Sequence, residues 1–159
     1  MSDYGLFYRN WKNRIFNYLM RMTGDGSLAG DIMQETFTRH LDHYGQNNRE
    51  VPLLYGIARN LFMDEMRRGR RRVDAAEAEG HEPAVDQDHR LMVRSEYRRV
   101  LAAMASLEEN EREILSLAAG GDLTYCQIAS LVGISEANVK VKVHRARLKL
   151  RNILKEAEG

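Results

Sequence analysis

Residues 123–147 constrain the fold more than any other part of the chain. Thr124 and Gln127 have the spacing of a capping box, in which each side chain bonds the other residue's backbone N–H at the start of a helix. Gly133 can adopt the left-handed conformation that a sharp turn needs, and Ser135 can cap a second helix. A short capped helix, a glycine turn and a second capped helix predict a helix-turn-helix.

The second helix of this motif has an apolar side and a basic side. At about 100° per residue, one side carries the residues that should pack inward: Val139, Val143, Ala146 and Leu150. The opposite side carries Ala137, Lys140, Val141, His144 and Arg145, with Arg147 and Arg151 next to it. Such cations can donate to guanine edges or phosphates, and an exposed valine can contact a thymine methyl group. The pattern favours a helix that enters the DNA major groove, although a basic face can also be merely solvated.

Helical periodicity extends over most of the remaining chain. Apolar residues recur at spacings of three and four from Leu6 to Met22, and no stretch shows the sustained alternation of a strand. We expect Gly24 to end this helix and Ser27 to cap the next one. Further helices are predicted at about 27–41, 53–72, 91–107, 109–119, 124–132 and 136–156. The fold class is therefore all-α.

Two small helical domains are predicted, joined by a flexible acidic linker. Residues 73–90 have almost no large apolar side chains, and they contain a glycine and a proline. In residues 74–97, 2 Lys or Arg residues stand against 7 Asp or Glu residues, which the net charge of +1 conceals. We assign residues 1–72 to a first domain and residues 91–159, with the helix-turn-helix, to a second.

Several classes of protein are excluded by composition. The single cysteine, Cys126, rules out an internal disulfide framework and a cysteine-cluster metal site. The five histidines show no ligand spacing, so we expect no metal, no cofactor and no small-molecule substrate. There is no signal-peptide pattern and no apolar run of about 18 residues, so we expect a cytoplasmic protein.

The first half carries two groups of residues that suit macromolecular contacts. Asp31, Gln34 and Glu35 share a polar helix face. The two carboxylates could serve a metal-dependent nuclease, but no histidine or third carboxylate completes such a site, so a face that contacts a basic protein is preferred. Residues 67–72 hold five arginines around a glycine, which suits phosphate contact.

Two further residues in the first half have both a functional and an ordinary interpretation. Asn60 could read a base edge, although a polar residue on a helix is more often simply solvated. Tyr44, in a predicted loop at 43–51, could stack on an unpaired base or could be half-buried at the loop entrance. The residues alone leave both choices open.

Three segments together resemble extracytoplasmic-function sigma factors over nearly the whole chain. Residues 29–37 are similar to that family's polymerase-binding helix, residues 54–60 with the arginines that follow to its strand-melting helix, and residues 106–147 to its fourth-region helix-turn-helix. The resemblance implies an alternative sigma factor, a non-enzymatic subunit that directs core RNA polymerase to chosen promoters. The alternative is a stand-alone helix-turn-helix regulator of duplex DNA, which would account only for residues 107–155.

The resemblance also implies roles for individual residues. The residues expected to contact the largest polymerase subunit are Asp31, Gln34, Glu35 and Phe37. Those expected at the minus-ten element, where a flipped base is held, are Tyr44, Asn60, Arg59, Arg67 and Arg68. Those expected to read the minus-thirty-five duplex are Lys140, Val141, His144, Arg145 and Arg147. The implied partners are core RNA polymerase, promoter DNA and an anti-sigma factor, which could hold the protein at the membrane.

Overall fold

The computed structural model describes residues 3–72 and 90–158, and in these residues all regular secondary structure is helical. The helices are α1 (Asp3–Thr23), α2 (Gly26–Tyr44), α3 (Val51–Arg72), α4 (Arg90–Ala105), α5 (Glu109–Ala119), α6 (Tyr125–Val132) and α7 (Glu136–Glu158). The all-α prediction is confirmed. The predicted linker at 73–90 lies outside the described residues except for Arg90, where α4 begins. None of the described helices is long and apolar enough to cross a membrane.

The described residues divide into two compact units. One contains residues 3–19 and 25–72, and the other contains residues 20–24 and 90–158. In the first unit α2 packs along α3. Tyr18 and Tyr55, both buried, meet edge to face with ring centroids 5.5 Å apart. Ile15 and Leu54 are fully buried as well, so α1 and α3 both contribute to this apolar core.

The ends of the first helices follow from local backbone chemistry. Gly24 has a φ of 65°, and its N–H bonds to the Met20 carbonyl, which ends α1 as predicted. The predicted cap of α2 is wrong: Asp25, not Ser27, accepts the hydrogen bonds of the first turn, from Ser27 N and Leu28 N. The reason is that α2 begins at Gly26, so Ser27 already lies inside the helix.

Two leucines of the first two helices are exposed. Leu6 is 60% exposed because its neighbour Phe7 takes the buried side of α1, and successive helical residues point about 100° apart. Leu41 is 37% exposed for the same reason, since His40 lies on the buried side of α2.

The third helix, α3, begins at Val51, two residues earlier than predicted. Pro52 does not prevent this, because proline is tolerated in the first turn of a helix.

In the second unit α7 packs against α4, α5 and α6. The residues of α7 predicted to face inward do so: Val139, Val143 and Ala146 are buried, and Leu150 packs against the core formed by Met104, Leu107, Leu115 and Ala146. One face of α7 is therefore fixed by apolar packing, which decides which residues the opposite face exposes.

Arg112 on α5 holds the end of α4 in place. Its guanidinium donates to the carbonyl oxygens of Met104 at 3.0 Å, Ala105 at 3.1 Å and Leu107 at 3.1 Å. The last carbonyls of a helix lack partners within the helix, and this side chain supplies donors to Ala105 and to Leu107 just after it. Met104 O also accepts from Leu107 N at 3.1 Å. The corner between α4 and α5 is thereby fixed by a half-buried cation.

Candidate nucleic-acid and protein interfaces

The turn between α6 and α7 has the geometry that its sequence predicts. Thr124 Oγ1 accepts from Gln127 N at 3.1 Å, and Gln127 Oε1 accepts from Thr124 N at 2.9 Å, so the capping box is complete. Gly133 has a φ of 79°, in the left-handed region. Ser135 Oγ accepts from Asn138 N at 3.1 Å and caps α7. The helix-turn-helix is confirmed, and this turn fixes the direction in which α7 leaves α6.

The outer face of α7 presents an exposed basic surface around one exposed valine. Val139 and Val143 are buried at 0% and 1% exposure, which turns the intervening residues outward. Val141 is 45% exposed, a large apolar side chain in water. The other predicted reading residues, all exposed, are Lys140, His144, Arg145 and Arg147. Cations surrounding an apolar contact suit the mixed polar and methyl pattern of the major groove.

Tyr125 belongs to the same surface and was missed by sequence reasoning. A depression of about 450 Å³ is lined by Tyr125 of α6 together with Lys140, Val141, Val143, His144, Arg145 and Arg147 of α7. Tyr125 is the first residue of α6, and its position in sequence gives no sign that it faces α7. The packing of α6 on α7 brings its half-buried side chain to the edge of the basic face.

In the first unit, Tyr44 and Asn60 line the same cavity. The cavity has a volume of about 170 Å³ and is lined by Arg39, His43, Tyr44, Ile57, Asn60 and Leu61. Tyr44 is 49% exposed, and Asn60 is exposed as well. The predicted loop position of Tyr44 is wrong: it is the last residue of α2, and the following Gly45, with a φ of 75°, ends the helix. The cavity therefore brings together the ring of Tyr44, the amide of Asn60, the guanidinium of Arg39 and the imidazole of His43.

The three arginines of α3 predicted to meet the minus-ten strand differ in exposure. Arg59 is half-buried, whereas Arg67 and Arg68 are exposed. Arg67 forms an ion pair with Asp64, and Arg68 lies 3.6 Å from Glu65. Ion pairs between exposed side chains contribute little to stability, so these arginines can exchange a carboxylate for a phosphate at small cost. They give α3 a cationic surface beyond the cavity.

The predicted protein-binding residues do not all share one surface. Asp31, Gln34 and Glu35 are exposed on α2, where Glu35 pairs with Arg39 at 3.0 Å. Phe37 is only 4% exposed and packs edge to face on Tyr8, with ring centroids 4.9 Å apart. Phe37 therefore lies beneath the exposed residues of that face. A phenylalanine on a helix that also packs on α3 and α1 is buried by those contacts.

Asp31 and Glu35 also line a groove of about 180 Å³ between α2 and α3, with Asp64, Glu65 and two arginines. In residues 3–72 and 90–158, no group of three or more His, Cys, Asp or Glu side chains is arranged to hold a metal ion. The groove instead alternates carboxylates with Arg39 and Arg68. Such a mixed surface suits a polar protein partner.

Comparison with known families assigns both halves of the chain. Residues 7–72 match Sigma-70 region 2, and residues 97–150 match Sigma-70, region 4. The chain is 32% identical over 151 residues to the ECF RNA polymerase sigma factor SigM of Bacillus subtilis (strain 168), covering 91% of this chain and 90% of that protein. It is also 32% identical over 154 residues to the RNA polymerase sigma factor CarQ of Myxococcus xanthus, covering 91% and 85%.

A solved structure agrees at the level of the fold. The sigma factor RpoE of Bartonella quintana, solved in complex with the anti-sigma factor NepR, superposes with a TM-score of 0.74 at 23% identity, covering 98% of each chain. The two sigma-region matches cover different halves of the chain, and both relatives match over at least 85% of their own length. The chain therefore belongs to the extracytoplasmic-function (ECF) family of RNA polymerase sigma factors and is an alternative sigma factor.

Proposed function

We propose that the outer face of α7 reads the minus-thirty-five element of the promoter as duplex DNA. The observation that carries this proposal is that buried and exposed valines alternate along α7. Val139 and Val143 are buried, and Val141 between them is 45% exposed. Lys140, His144 and Arg145 would donate to base edges, and Val141 would contact a methyl group. Arg147, next to this face, would meet a phosphate and set the register of the helix.

We propose that the cavity at Tyr44 and Asn60 holds an unpaired base of the minus-ten element. A half-exposed tyrosine offers a ring on which a base can stack, at about 1–3 kcal/mol per base. The Asn60 amide can both donate to and accept from a base edge. Arg59, Arg67 and Arg68 would bind the phosphates of the melted strand. Stacking and hydrogen bonding would then offset the cost of unstacking the base, about a few kcal/mol.

We propose that Asp31, Gln34 and Glu35 bind core RNA polymerase through a basic surface of its largest subunit. All three are exposed on one helix, and the groove that Asp31 and Glu35 line carries two further carboxylates, Asp64 and Glu65. Complementary charge favours fast and specific association of two proteins. Phe37 contributes through packing, because it supports Tyr8 from below.

We propose a functional division into residues 1–72 for core binding and the minus-ten element, residues 73–90 as a linker, and residues 91–159 for the minus-thirty-five element. On this proposal the chain has no catalytic role, since polymerase forms the phosphodiester bonds. An anti-sigma factor is a further proposed partner, since the RpoE structure is a complex with one. The protein would act in the cytoplasm, with such a partner able to hold it at the membrane.

The test of these assignments is a comparison of two DNA probes on holoenzyme assembled from this protein and core polymerase. Transcript starts mapped after overexpression supply both promoter elements. Tyr44→Ala and Asn60→Ala should weaken binding of the single-stranded minus-ten probe and leave the minus-thirty-five duplex unaffected, whereas Lys140→Ala and His144→Ala should do the reverse. Variants that weaken both probes equally would contradict the assignment of separate sites.

A further inference from the structure

A fully buried histidine lies one turn before Tyr44 on α2. The Nδ1 atom of His40 is 3.1 Å from the hydroxyl of Tyr4, and that hydroxyl donates a 3.0 Å hydrogen bond to the carbonyl oxygen of Phe37. Because the hydroxyl has one proton and uses it there, Nδ1 must donate to the hydroxyl. The neutral ring therefore carries its proton on Nδ1, and the first turn of α1 is tied to α2 through buried hydrogen bonds.

The same ring also contacts aromatic residues of α1 and α2. The ring centroids of His40 and Tyr44 are 6.0 Å apart, so Tyr44 rests beside the buried histidine. On its other side His40 stacks on Phe7, with centroids 5.4 Å apart and planes inclined by 27°. The guanidinium of Arg49 lies 5.1 Å from the centroid of Phe7 and 6.0 Å from that of Tyr4.

Arg49 connects this aromatic cluster to residues 45–50, which join α2 to α3. Its guanidinium donates to the carbonyl oxygens of Gln46 and Asn48, so it also organises the loop in which it lies. The Asn48 side chain accepts from Glu50 N at 2.9 Å, next to the start of α3. The cation–π contacts therefore fasten an ordered loop onto the rings that surround His40.

We propose that His40 is a positioning residue for the minus-ten strand: anchored on Tyr4, it sets the orientation of Tyr44 and holds the 45–50 loop in place beside the base cavity. This inference rests on the proposed function of the Tyr44–Asn60 cavity. It makes the first turn of α1 part of promoter recognition, although none of its residues lines the cavity. Neither His40 nor Tyr4 needs to touch DNA.

The electrostatics of the cluster make this positioning sensitive to pH. Burial lowers the pKa of His40, the Asn48 side chain opposes this, and the charge of Arg49 lowers the pKa further. The groups that face the ring are Tyr4 from α1, Tyr44 from α2, and Asn48 and Arg49 from the loop. A proton gained by His40 would therefore add a buried charge close to the cation that fastens the loop.

The direction of the pH effect follows from the lowered pKa. The unfolded chain titrates at the ordinary histidine pKa of 6.5. Above that value His40 is neutral in both states, and its contribution to stability is fully present. As the pH falls from 6.5 toward the lower pKa of the folded state, the unfolded chain binds protons first and that contribution is lost. Acidification should therefore loosen the loop and weaken capture of the strand.

The first experiment uses holoenzyme and a fluorescent single-stranded oligonucleotide that carries the mapped minus-ten sequence. Tyr4→Phe keeps the ring and removes the hydroxyl that bridges His40 and Phe37, and it should weaken binding roughly fivefold. Tyr97→Phe removes a tyrosine hydroxyl from α4, in the other unit, and should leave binding unchanged. The minus-thirty-five duplex should bind equally to both variants.

The second experiment is the pH profile of the same binding between about pH 7.5 and 5.5. The unmodified protein should bind the strand several-fold more weakly at the acidic end. His40→Gln cannot gain a proton, so its weaker binding should not fall further with acidification. His43→Gln, which alters an exposed histidine of the cavity, should retain the fall. A purely structural role of His40 would lower thermal stability without flattening the profile, and that result would overturn the proposal.

Arg49 provides a test that does not depend on substituting a buried residue. Arg49→Gln should weaken strand binding, and Arg49→Lys should restore most of it, because an ammonium also binds an aromatic face. If Tyr4→Phe and Arg49→Gln bind the strand like the unmodified protein while Tyr44→Ala does not, the role of His40 is refuted and the cavity assignment stands. If Tyr44→Ala and Asn60→Ala also bind normally, the cavity assignment itself fails.

Discussion

Gln34 Nε2 donates a 2.9 Å hydrogen bond to the hydroxyl of Tyr8, and this bond ties the proposed polymerase-binding face of α2 to α1. Tyr8 is in turn supported by the buried ring of Phe37, and the ammonium of Lys12 lies 5.7 Å from its centroid. The contact face is therefore built on two helices. Its geometry depends on Tyr8 and Lys12 of α1 as well as on the residues of α2.

Tyr8→Phe should weaken binding of core RNA polymerase, because it removes the acceptor that orients Gln34. The expected loss is about 0.5–1.5 kcal/mol, the net worth of one hydrogen bond. Thr38→Ala is the matched control, since it removes an exposed hydroxyl of α2 that bonds only to the backbone oxygen of Gln34. Titration of labelled protein with core polymerase measures both affinities. Equal affinities for the Tyr8 and Thr38 variants would show that the hydrogen bond has no part in binding.

Arg145→Ala and Arg151→Ala should affect DNA binding in different ways. Arg145 lies on the reading face of α7, so its loss should cost about 1–3 kcal/mol at particular base pairs of the minus-thirty-five element. Arg151, exposed further along α7, should contribute to phosphate contact, and its loss should weaken all sequences alike. Competition binding with a set of single-base variants of the duplex measures this difference. Sequence-independent losses from both substitutions would refute the reading face.

Gly133→Ala should destabilise the helix-turn-helix, because its φ of 79° lies where a Cβ is strained. The expected cost is about 1–2 kcal/mol. Gly30→Ala is an informative partner: Gly30 lies within α2, a Cβ there meets nothing within 4 Å, and the change should stabilise by roughly 0.5–1 kcal/mol. Urea unfolding, followed by circular dichroism, measures the free energy of unfolding of both variants. A Gly133 variant as stable as the parent would contradict the role given to the turn.

Much of the second unit follows from short-range chemistry that a sequence displays. The caps at Thr124 and Ser135 and the turn at Gly133 each depend on residues within a few positions, and all three were predicted correctly. The buried side of α7 was also predicted, because its apolar period matches the helix. The predicted cap of α2 was wrong for a related reason. Asp25 and Ser27 are both residue types that cap helices well, and only the position of the first helical residue decides between them.

Features that depend on contacts between helices could not be predicted. The three carbonyl partners of Arg112 are defined by the angle between α4 and α5. Tyr125 reaches the basic face of α7 through the packing of α6, and Phe37 is covered by Tyr8 of α1. His40 was assigned no role, since a histidine near a helix end carries no sign of burial. In each case the missing information is tertiary packing, not residue chemistry.

Arg112→Met should destabilise the second unit, because it keeps a long apolar stem and removes the donors that satisfy the end of α4. A charged donor that serves several carbonyls is worth about 1.5–3 kcal/mol. Lys149→Met is the comparison: its ammonium pairs with Glu111 at 2.9 Å but is half exposed, so the loss should be smaller. Thermal unfolding of the full chain measures both. A larger loss from Lys149→Met would contradict the account of the corner between α4 and α5.

The most direct test of the account is transcription in vitro with purified core RNA polymerase and a linear template that carries a mapped promoter of this protein. Addition of the protein should produce transcripts from one start site, and Tyr44→Ala should abolish most of them while core binding is retained. Base changes in either promoter element should also suppress the transcripts. If the protein binds the duplex but yields no increase in initiation with core polymerase, it is a stand-alone regulator, and the assignment as a sigma factor is wrong.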